Sequence, residues 1–180
     1  MTNHYNMLFA GFGGQGVLFA GKVIAYAGLI EGKEVSWLPS YGPEMRGGTA
    51  NCSICVSDEP IGSPLVTAPN VFVAMNLPSY EKFIDTVEDD SVVIIDNTLI
   101  NKTVSNNKVK AFYVPATSLA DENNLKGLAN IILIGKLFKE INFSSKESLY
   151  KSIEKCVPPS KSHLIEANIR AIELGMSLAD

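Results

Sequence analysis

The stretch FAGFGGQGVLFAGK, Phe9 to Lys22, constrains the fold more than any other part of this 180-residue chain. An apolar run, YNMLFAG, leads into Gly11-Phe-Gly13-Gly-Gln-Gly16, and there the pattern changes period. Val17, Ala20, Ile24 and Ala27 recur at helical spacing as far as Gly32, so a buried strand, a glycine-rich turn and a helix follow in order. Glycines let the backbone turn sharply and bring a ligand close to the free N–H groups of the helix start. An anion gains about 0.3–1 kcal/mol there. The spacing matches G-x-G-x-x-G, but a dinucleotide also needs an acidic residue closing the second strand, to bind ribose. That strand, KEVSWLP, ends Trp37-Leu38-Pro39-Ser40, with Glu34 at its start. The carboxylate is missing where a dinucleotide requires it. Another phosphate-bearing ligand, or a tight structural turn, remains open. Lys22, about a turn and a half into the helix, either reaches back toward an anion or is solvated.

The rest of the chain alternates short apolar runs with helical patterns. TANCSICVS, NVFVAM, SVVIID and KVKAFYVP read as strands, the last preceded by a polar, hairpin-like NKTVSNN. PSYEKFIDTV, TSLADENN, NIILIGKLFKEI, SKESLYKSIEKC and SHLIEANIRAIELGMSLA read as helices, with Pro78 suited to a first turn. This order indicates a layered α/β architecture, expected as one domain over residues 1–180.

Between the second and third strands lies SYGPEMRGG, Ser40 to Gly48, longer than the usual hairpin loop of about 2–5 residues. Arg46 and Arg170 are the chain's two arginines. The planar fork of Arg46 suits a phosphate or carboxylate, and Gly47-Gly48 permit close approach. An internal Glu44–Arg46 pair is the alternative. If both glycine-rich loops stand at one end of the sheet, they frame a single crevice.

A net charge of -4 argues against nucleic acid or an anionic membrane as partner. No charged-then-apolar leader and no run of about 18 apolar residues is visible, so the cytoplasm is the expected compartment. The 46% hydrophobic content fits either a well-covered sheet or a subunit with buried partner surfaces. Cys52-Ser-Ile-Cys55 satisfies C-x-x-C. Yet it falls in an alternating strand, where residues three apart point to opposite faces, and no second cysteine pair completes a metal site. Buried small side chains are the expectation. Asp96, after VVII, reads as a strand-end cap, and Ala74–Asn76 as a strand end beside a possible ligand. No catalytic set and no metal ligand set emerges.

Taken together, GFGGQGVLFAGK, SYGPEMRGGTANCSICVSDEPIGSPLV, AMNLPSYEKF and VIIDNTLI resemble the gamma subunit of the 2-oxoacid:ferredoxin oxidoreductases, over roughly the first hundred residues. The second block is the more specific. The resemblance implies a Rossmann-like, three-layer α/β/α sandwich with a mostly parallel or mixed sheet. It implies a subunit of a complex that converts a 2-oxoacid, coenzyme A and oxidised ferredoxin to acyl-CoA, carbon dioxide and reduced ferredoxin. The 2-oxoglutarate and branched-chain types fit better than the pyruvate type. Thiamine diphosphate, Mg and [4Fe-4S] clusters are then expected in partner alpha, beta and ferredoxin-like delta subunits, with ferredoxin as acceptor. Coenzyme A would meet Gly13, Gly14, Gln15 and Gly16 as backbone cradle, Lys22 and Arg46 as phosphate cations, and Gly47, Gly48 and Thr49 as loop-shaping residues. A stand-alone Rossmann-like nucleotide-binding module and a purely architectural subunit are the alternative readings.

Overall fold

The computed structural model describes residues 4–40 and 49–179. Strand β1 (His4–Phe12) runs through the middle of a six-stranded sheet, followed by helix α1 (Val17–Ile30). Next come strands β2 (Glu34–Ser40), β3 (Thr49–Ser57) and β4 (Val71–Ala74), then helix α2 (Leu77–Phe83) and a 3-10 turn, Ile84–Thr86. Strands β5 (Val92–Asp96) and β6 (Lys110–Val114) complete the sheet. Helices α3 (Ala116–Glu122), α4 (Ala129–Ile141), α5 (Lys146–Cys156) and α6 (Ile165–Ser177) end the described chain.

The strand order is β2-β3-β1-β4-β5-β6. β1, β4, β5 and β6 pair in parallel, whereas β3 runs antiparallel to both β1 and β2. The sheet is therefore mixed, with β3 alone reversed, and the α/β expectation is borne out. One strand pairing differs from the sequence reading. NKTVSNN suggested a hairpin, but β5 and β6 lie parallel, so residues 97–109 form a crossover. Tyr113 Oη accepts from the Val104 N–H at 2.8 Å, and Tyr80 Oη donates to the Thr103 carbonyl at 3.1 Å. Side chains thus fix that crossover without a helix, which its polar turn-like composition hid.

Two cores cover the sheet faces. The larger holds Phe9, Ile24, Ile54, Ile94 and Ile131 beneath α1 and α3–α6. The smaller holds Leu8, Phe72, Tyr80 and Ile95 beneath α2. Alternation along β1 produces the split: Met7 and Phe9 face one core, Leu8 and Ala10 the other. All four residues of β4 are buried, as expected for a parallel strand covered on both faces. Local chemistry sets the helix starts. Asn76 Oδ1 accepts from the Ser79 N–H at 2.8 Å to cap α2, and Ser145 Oγ does the same for α5 from Ser148 at 3.1 Å.

α4 and α6 cross at their closest point through Gly135 and Gly175. A Cβ on Gly135 would stand 2.1 Å from the Ile172 carbonyl oxygen, and one on Gly175 2.0 Å from that of Ile132. Only hydrogen fits at either position. Beside this crossing Lys136 is 2% exposed. It pairs with Glu140 at 2.8 Å, sits over the Phe112 ring at 4.7 Å, and donates to the Ala179 carbonyl at 3.3 Å. A buried ammonium is tolerated because it keeps several partners.

Candidate functional site

The connections after β1 and β4 leave on opposite faces, to α1 under the larger core and α2 under the smaller. Adjacent parallel strands with opposite exits make a topological switch point, where a crevice opens beyond the strand ends. Gly13–Gly16 lies there.

Gly14 and Gly16 adopt φ of 96° and 74°, a region costly for side chains with a Cβ. Gly16 is the N-cap of α1, with no side-chain cap bond and no acidic residue in the first turn. The N-terminal N–H groups of a 14-residue helix are thus left for backbone or ligand. The loop is held rigidly from beneath. Gln15 Oε1 accepts from the Phe12 N–H at 2.6 Å, and Gln15 Nε2 donates to the Met75 carbonyl at 2.9 Å. Asn76, the cap of α2, donates to the same Gln15 Oε1 at 3.3 Å. From α4, Asn130 Nδ2 donates to the Gly16 carbonyl at 3.1 Å. A Cβ on Gly16 would stand 2.4 Å from that nitrogen, whereas one on Gly14 would meet nothing within 4 Å.

Two hollows flank the loop. One, of about 230 Å³, is bordered by Gly14, Gln15, Met75, Asp96, Thr117 and Asp121. The other, of about 210 Å³, is bordered by Phe12, Gly13, Gly16, Leu18, Phe19 and Ala50. Asp96 is 1% exposed. Its carboxylate accepts from the Thr98 N–H at 3.1 Å and the Thr117 hydroxyl at 2.6 Å, so it caps the end of β5 and ties it to α3. This is the capping role expected of it.

The sequence-derived candidates separate into groups. Gly13, Gly14, Gln15 and Gly16 stand together at the crevice. Gln15 braces the loop with both ends of its amide, a tertiary role not visible in the motif. The backbone of Thr49 pairs with Phe12, so β3 begins beside the glycine loop. Ser40 pairs with Asn51 at the same sheet end. Arg46, Gly47 and Gly48 lie outside the described residues. Lys22 stands apart from both hollows. Its ammonium lies 5.7 Å from the Tyr26 ring centroid, in a third hollow with Val35 and Trp37. Asn130 was missed as a site residue, because nothing local marks a residue that meets the loop only through tertiary packing, whereas Met75 falls within Ala74–Asn76, read from the sequence as a strand end beside a ligand.

The C-x-x-C motif divides as alternation requires. Cys52 faces α1 and donates weakly to the Val17 carbonyl at 3.6 Å, while Cys55 faces Ser63 on the other side. Burial pushes the Cys52 thiol up to about 12, despite hydrogen bonds from the Trp37 indole and the Gly21 backbone. Both are free, buried thiols. Among the described residues no three His, Cys, Asp or Glu side chains gather as metal ligands, and no helix is long and apolar enough to cross a membrane.

A sheet of this order, with a glycine loop at its switch point, defines a Rossmann-like α/β class. Residues 6–178 match the family model described as pyruvate ferredoxin/flavodoxin oxidoreductase, and the chain belongs to that family. It is 38% identical over 170 residues to the ketoisovalerate oxidoreductase subunit VorA of Methanothermobacter thermautotrophicus, covering 94% of this chain but 35% of that protein. It is 35% identical over 173 residues to the 2-oxoglutarate synthase subunit KorC of Methanocaldococcus jannaschii, covering 94% of this chain and 91% of that one. The chain thus spans about a third of the ketoisovalerate relative and nearly all of the 2-oxoglutarate one. In three dimensions it is similar to the gamma subunit of the keto/oxoacid ferredoxin oxidoreductase of Geobacter sulfurreducens. That match has a TM-score of 0.81, 25% identity and 95% coverage of both chains. A 2-oxoglutarate:ferredoxin oxidoreductase from Magnetococcus marinus shares the fold, with a TM-score of 0.84 and 22% identity over 97% of this chain and 30% of that one. The gamma-type resemblance read from the motifs is borne out, in sequence and in fold.

Proposed function

We propose that this chain is the gamma subunit of a 2-oxoacid:ferredoxin oxidoreductase and that it receives coenzyme A at the glycine loop. The observation that carries the reading is the open, uncapped start of α1 at the switch point, braced by Gln15 and Asn130. The site is built to bind rather than to react. It offers backbone donors and a preformed crevice. Coenzyme A carries a pyrophosphate and a 3′-phosphate, so it needs anion-binding backbone and cations but no ribose-binding carboxylate. Gly13, Gly14 and Gly16 supply the cradle in this reading, with Gln15 holding its shape. Arg46, with Gly47, Gly48 and Thr49, supplies a second set of contacts. Lys22 serves a phosphate only if the ligand extends along α1.

Carbanion chemistry belongs to thiamine diphosphate with Mg, and electron transfer to [4Fe-4S] clusters, in alpha, beta and ferredoxin-like delta subunits, with ferredoxin as acceptor. The Magnetococcus enzyme, solved with 2-oxoglutarate, coenzyme A and succinyl-CoA bound, shares this fold. Relatives named for 2-oxoglutarate and ketoisovalerate support those two substrate classes. The β2 side supplies subunit contacts in this reading: Trp37 and Leu38 are exposed there, and Leu65 nearby is 59% exposed.

The test is anaerobic purification of the tagged chain from its host, followed by assay for 2-oxoacid-driven viologen reduction. The expected result is co-purifying subunits with activity that requires coenzyme A, and a coenzyme A KM raised about tenfold by Arg46→Ala. A chain that emerges alone from a host expressing it overturns the assignment. An unchanged KM removes the role of Arg46.

A further inference from the structure

Helix α1 lacks the polar outer face that a helix facing water carries. Lys22 is the one charged residue in Val17–Ile30. Leu18, Lys22, Tyr26 and Leu29 are half-buried or exposed and fall at i, i+4, i+8 and i+11, a single outward stripe. Leu29 is 54% exposed. Helix α5, packed beside α1, shows the ordinary alternative. Its outer side is Lys146, Glu147, Lys151, Glu154 and Lys155, with Glu147 and Lys151 paired at 2.6 Å. A helix that is apolar nearly all round belongs to an interior, and the stripe of α1 faces outward.

The stripe continues onto the sheet. Gly21 and Gly28 let α1 lie close on β2 and β3. A Cβ on Gly21 would stand 2.5 Å from Cys52 Sγ and 3.1 Å from Trp37 Nε1, and one on Gly28 2.9 Å from Val35 Cγ2. Val35 and Trp37 therefore stand beside Lys22, Ala25, Tyr26 and Leu29, around a hollow of about 260 Å³. The indole is held by its hydrogen bond to the Cys52 thiol, yet its ring stays 37% exposed. β2 is also an edge strand, and Val35–Ser40 carries no charge. Edges left in water are usually guarded by charge or proline, and here Pro39 is the guard. Contiguous apolar surface of this kind marks an interaction site.

Lys22 decides what can cover this surface. Its ammonium lies 5.7 Å from the Tyr26 ring centroid, and among the described residues no carboxylate pairs with it. A wholly apolar partner would bury that charge uncompensated, which is strongly unfavourable. A second copy set face to face brings the same patch, and so no carboxylate. We propose that α1 and the β2 edge dock a partner subunit of different sequence, which sets an apolar side chain beside Trp37 and a carboxylate against Lys22. The assignment rests on the reading that the chain works within an assembled oxidoreductase. It goes further by naming the face, the chemistry of what covers it, and a role for Lys22 apart from any phosphate.

The experiment purifies the tagged chain anaerobically from its host and quantifies the subunits that accompany it. Lys22→Glu and Leu29→Asp should each lower those subunits about tenfold or more. One sets like charges together, and the other buries a carboxylate in an apolar contact. Parental yields in both variants overturn the docking face and leave the subunit reading intact. A parent chain that emerges alone overturns the subunit reading, and the docking face with it. Benzoylphenylalanine in place of Leu29 is then photo-crosslinked within the assembled complex. The expected product joins a partner subunit at an apolar segment bearing an Asp or Glu. A crosslink to a second copy of this chain, or none, overturns the proposal. Reversing the crosslinked segment's carboxylate to lysine should restore assembly of Lys22→Glu, a rescue that a misfolded variant would not show. Failure of that rescue overturns the pairing. A raised coenzyme A KM in Lys22→Met at parental assembly makes Lys22 a phosphate cation and overturns it as well.

Discussion

Gly135 on α4 and Gly14 after β1 are the same residue type kept for opposite reasons. At Gly135 the missing Cβ is replaced by a neighbour's backbone 2.1 Å away, so glycine there is a packing requirement. At Gly14 the missing Cβ would enter open space, and the backbone turns through a φ of 96° to leave it open. Gly16 stands between these cases, with a φ of 74° and Asn130 Nδ2 2.4 Å from where its Cβ would be. The comparison separates glycines that serve the protein's own interior from those that leave room for something else.

The largest expected effect falls on the helix crossing. Gly135→Ala must push α4 and α6 apart, at about 3 kcal/mol, or roughly a 10 °C fall in Tm by calorimetry. A loss under about 1 kcal/mol would break the comparison, because the crossing would then be adaptable. Gly16→Ala combines a left-handed backbone with the Asn130 clash, so about 2 kcal/mol of stability and a raised coenzyme A KM are expected together. Gly14→Ala carries only the backbone strain, about 1 kcal/mol, so its effect on coenzyme A KM should exceed its effect on Tm. If both glycine-loop variants lose stability without changing KM, the loop is a structural turn.

The smallest effect concerns Glu31, at the C-terminal end of α1, whose carboxylate accepts from the Ser145 N–H at 2.8 Å. Hydrogen bonds from the Ser145 and Ser148 side chains, and from the Ser145 backbone, hold its pKa down at about 2, below its ordinary 4.5. A depressed carboxylate stabilises the fold above its unfolded pKa and loses that contribution as pH falls through the folded one. The side chain is largely in water, so the effect is well under 1 kcal/mol. Glu31→Gln should therefore be slightly less stable than the parent in urea unfolding at pH 7. That gap should close between pH 4.5 and about 2. A gap that persists at the lower limit would show that geometry rather than charge holds the contact.

What the sequence disclosed was what is local. β1, the glycine turn and α1 were readable because the apolar period changes at Gly14. The separation of Cys52 from Cys55 followed from alternation alone. The reversed direction of β3 was not readable, because alternating residues are indifferent to strand direction. The parallel β5–β6 pair was obscured by Asn and Ser residues that suit a hairpin equally well. At the site, the glycines announced themselves, but their supports did not. Gln15 meets Met75 across 60 positions and Asn130 meets Gly16 across 114. Lys22 illustrates the converse. Its place in the chain suggested reach toward the loop, but its helical phase turns it toward Tyr26 and Trp37.

The hydrogen bond from Asn130 to Gly16 bears on how the chain leaves a ribosome. β1 is synthesised first, but its partners β3 and β4 follow much later, and the floor of its glycine turn arrives only with α4. Synthesis proceeds at about 5–20 residues per second, so the first strand waits on the order of ten seconds for the last part of its site. Throughout that interval the face of β1 that carries Met7 and Phe9 lacks part of its helical cover. Nascent chains halted before residue 129 should therefore recruit holding chaperones. Chains released beyond α6 should not.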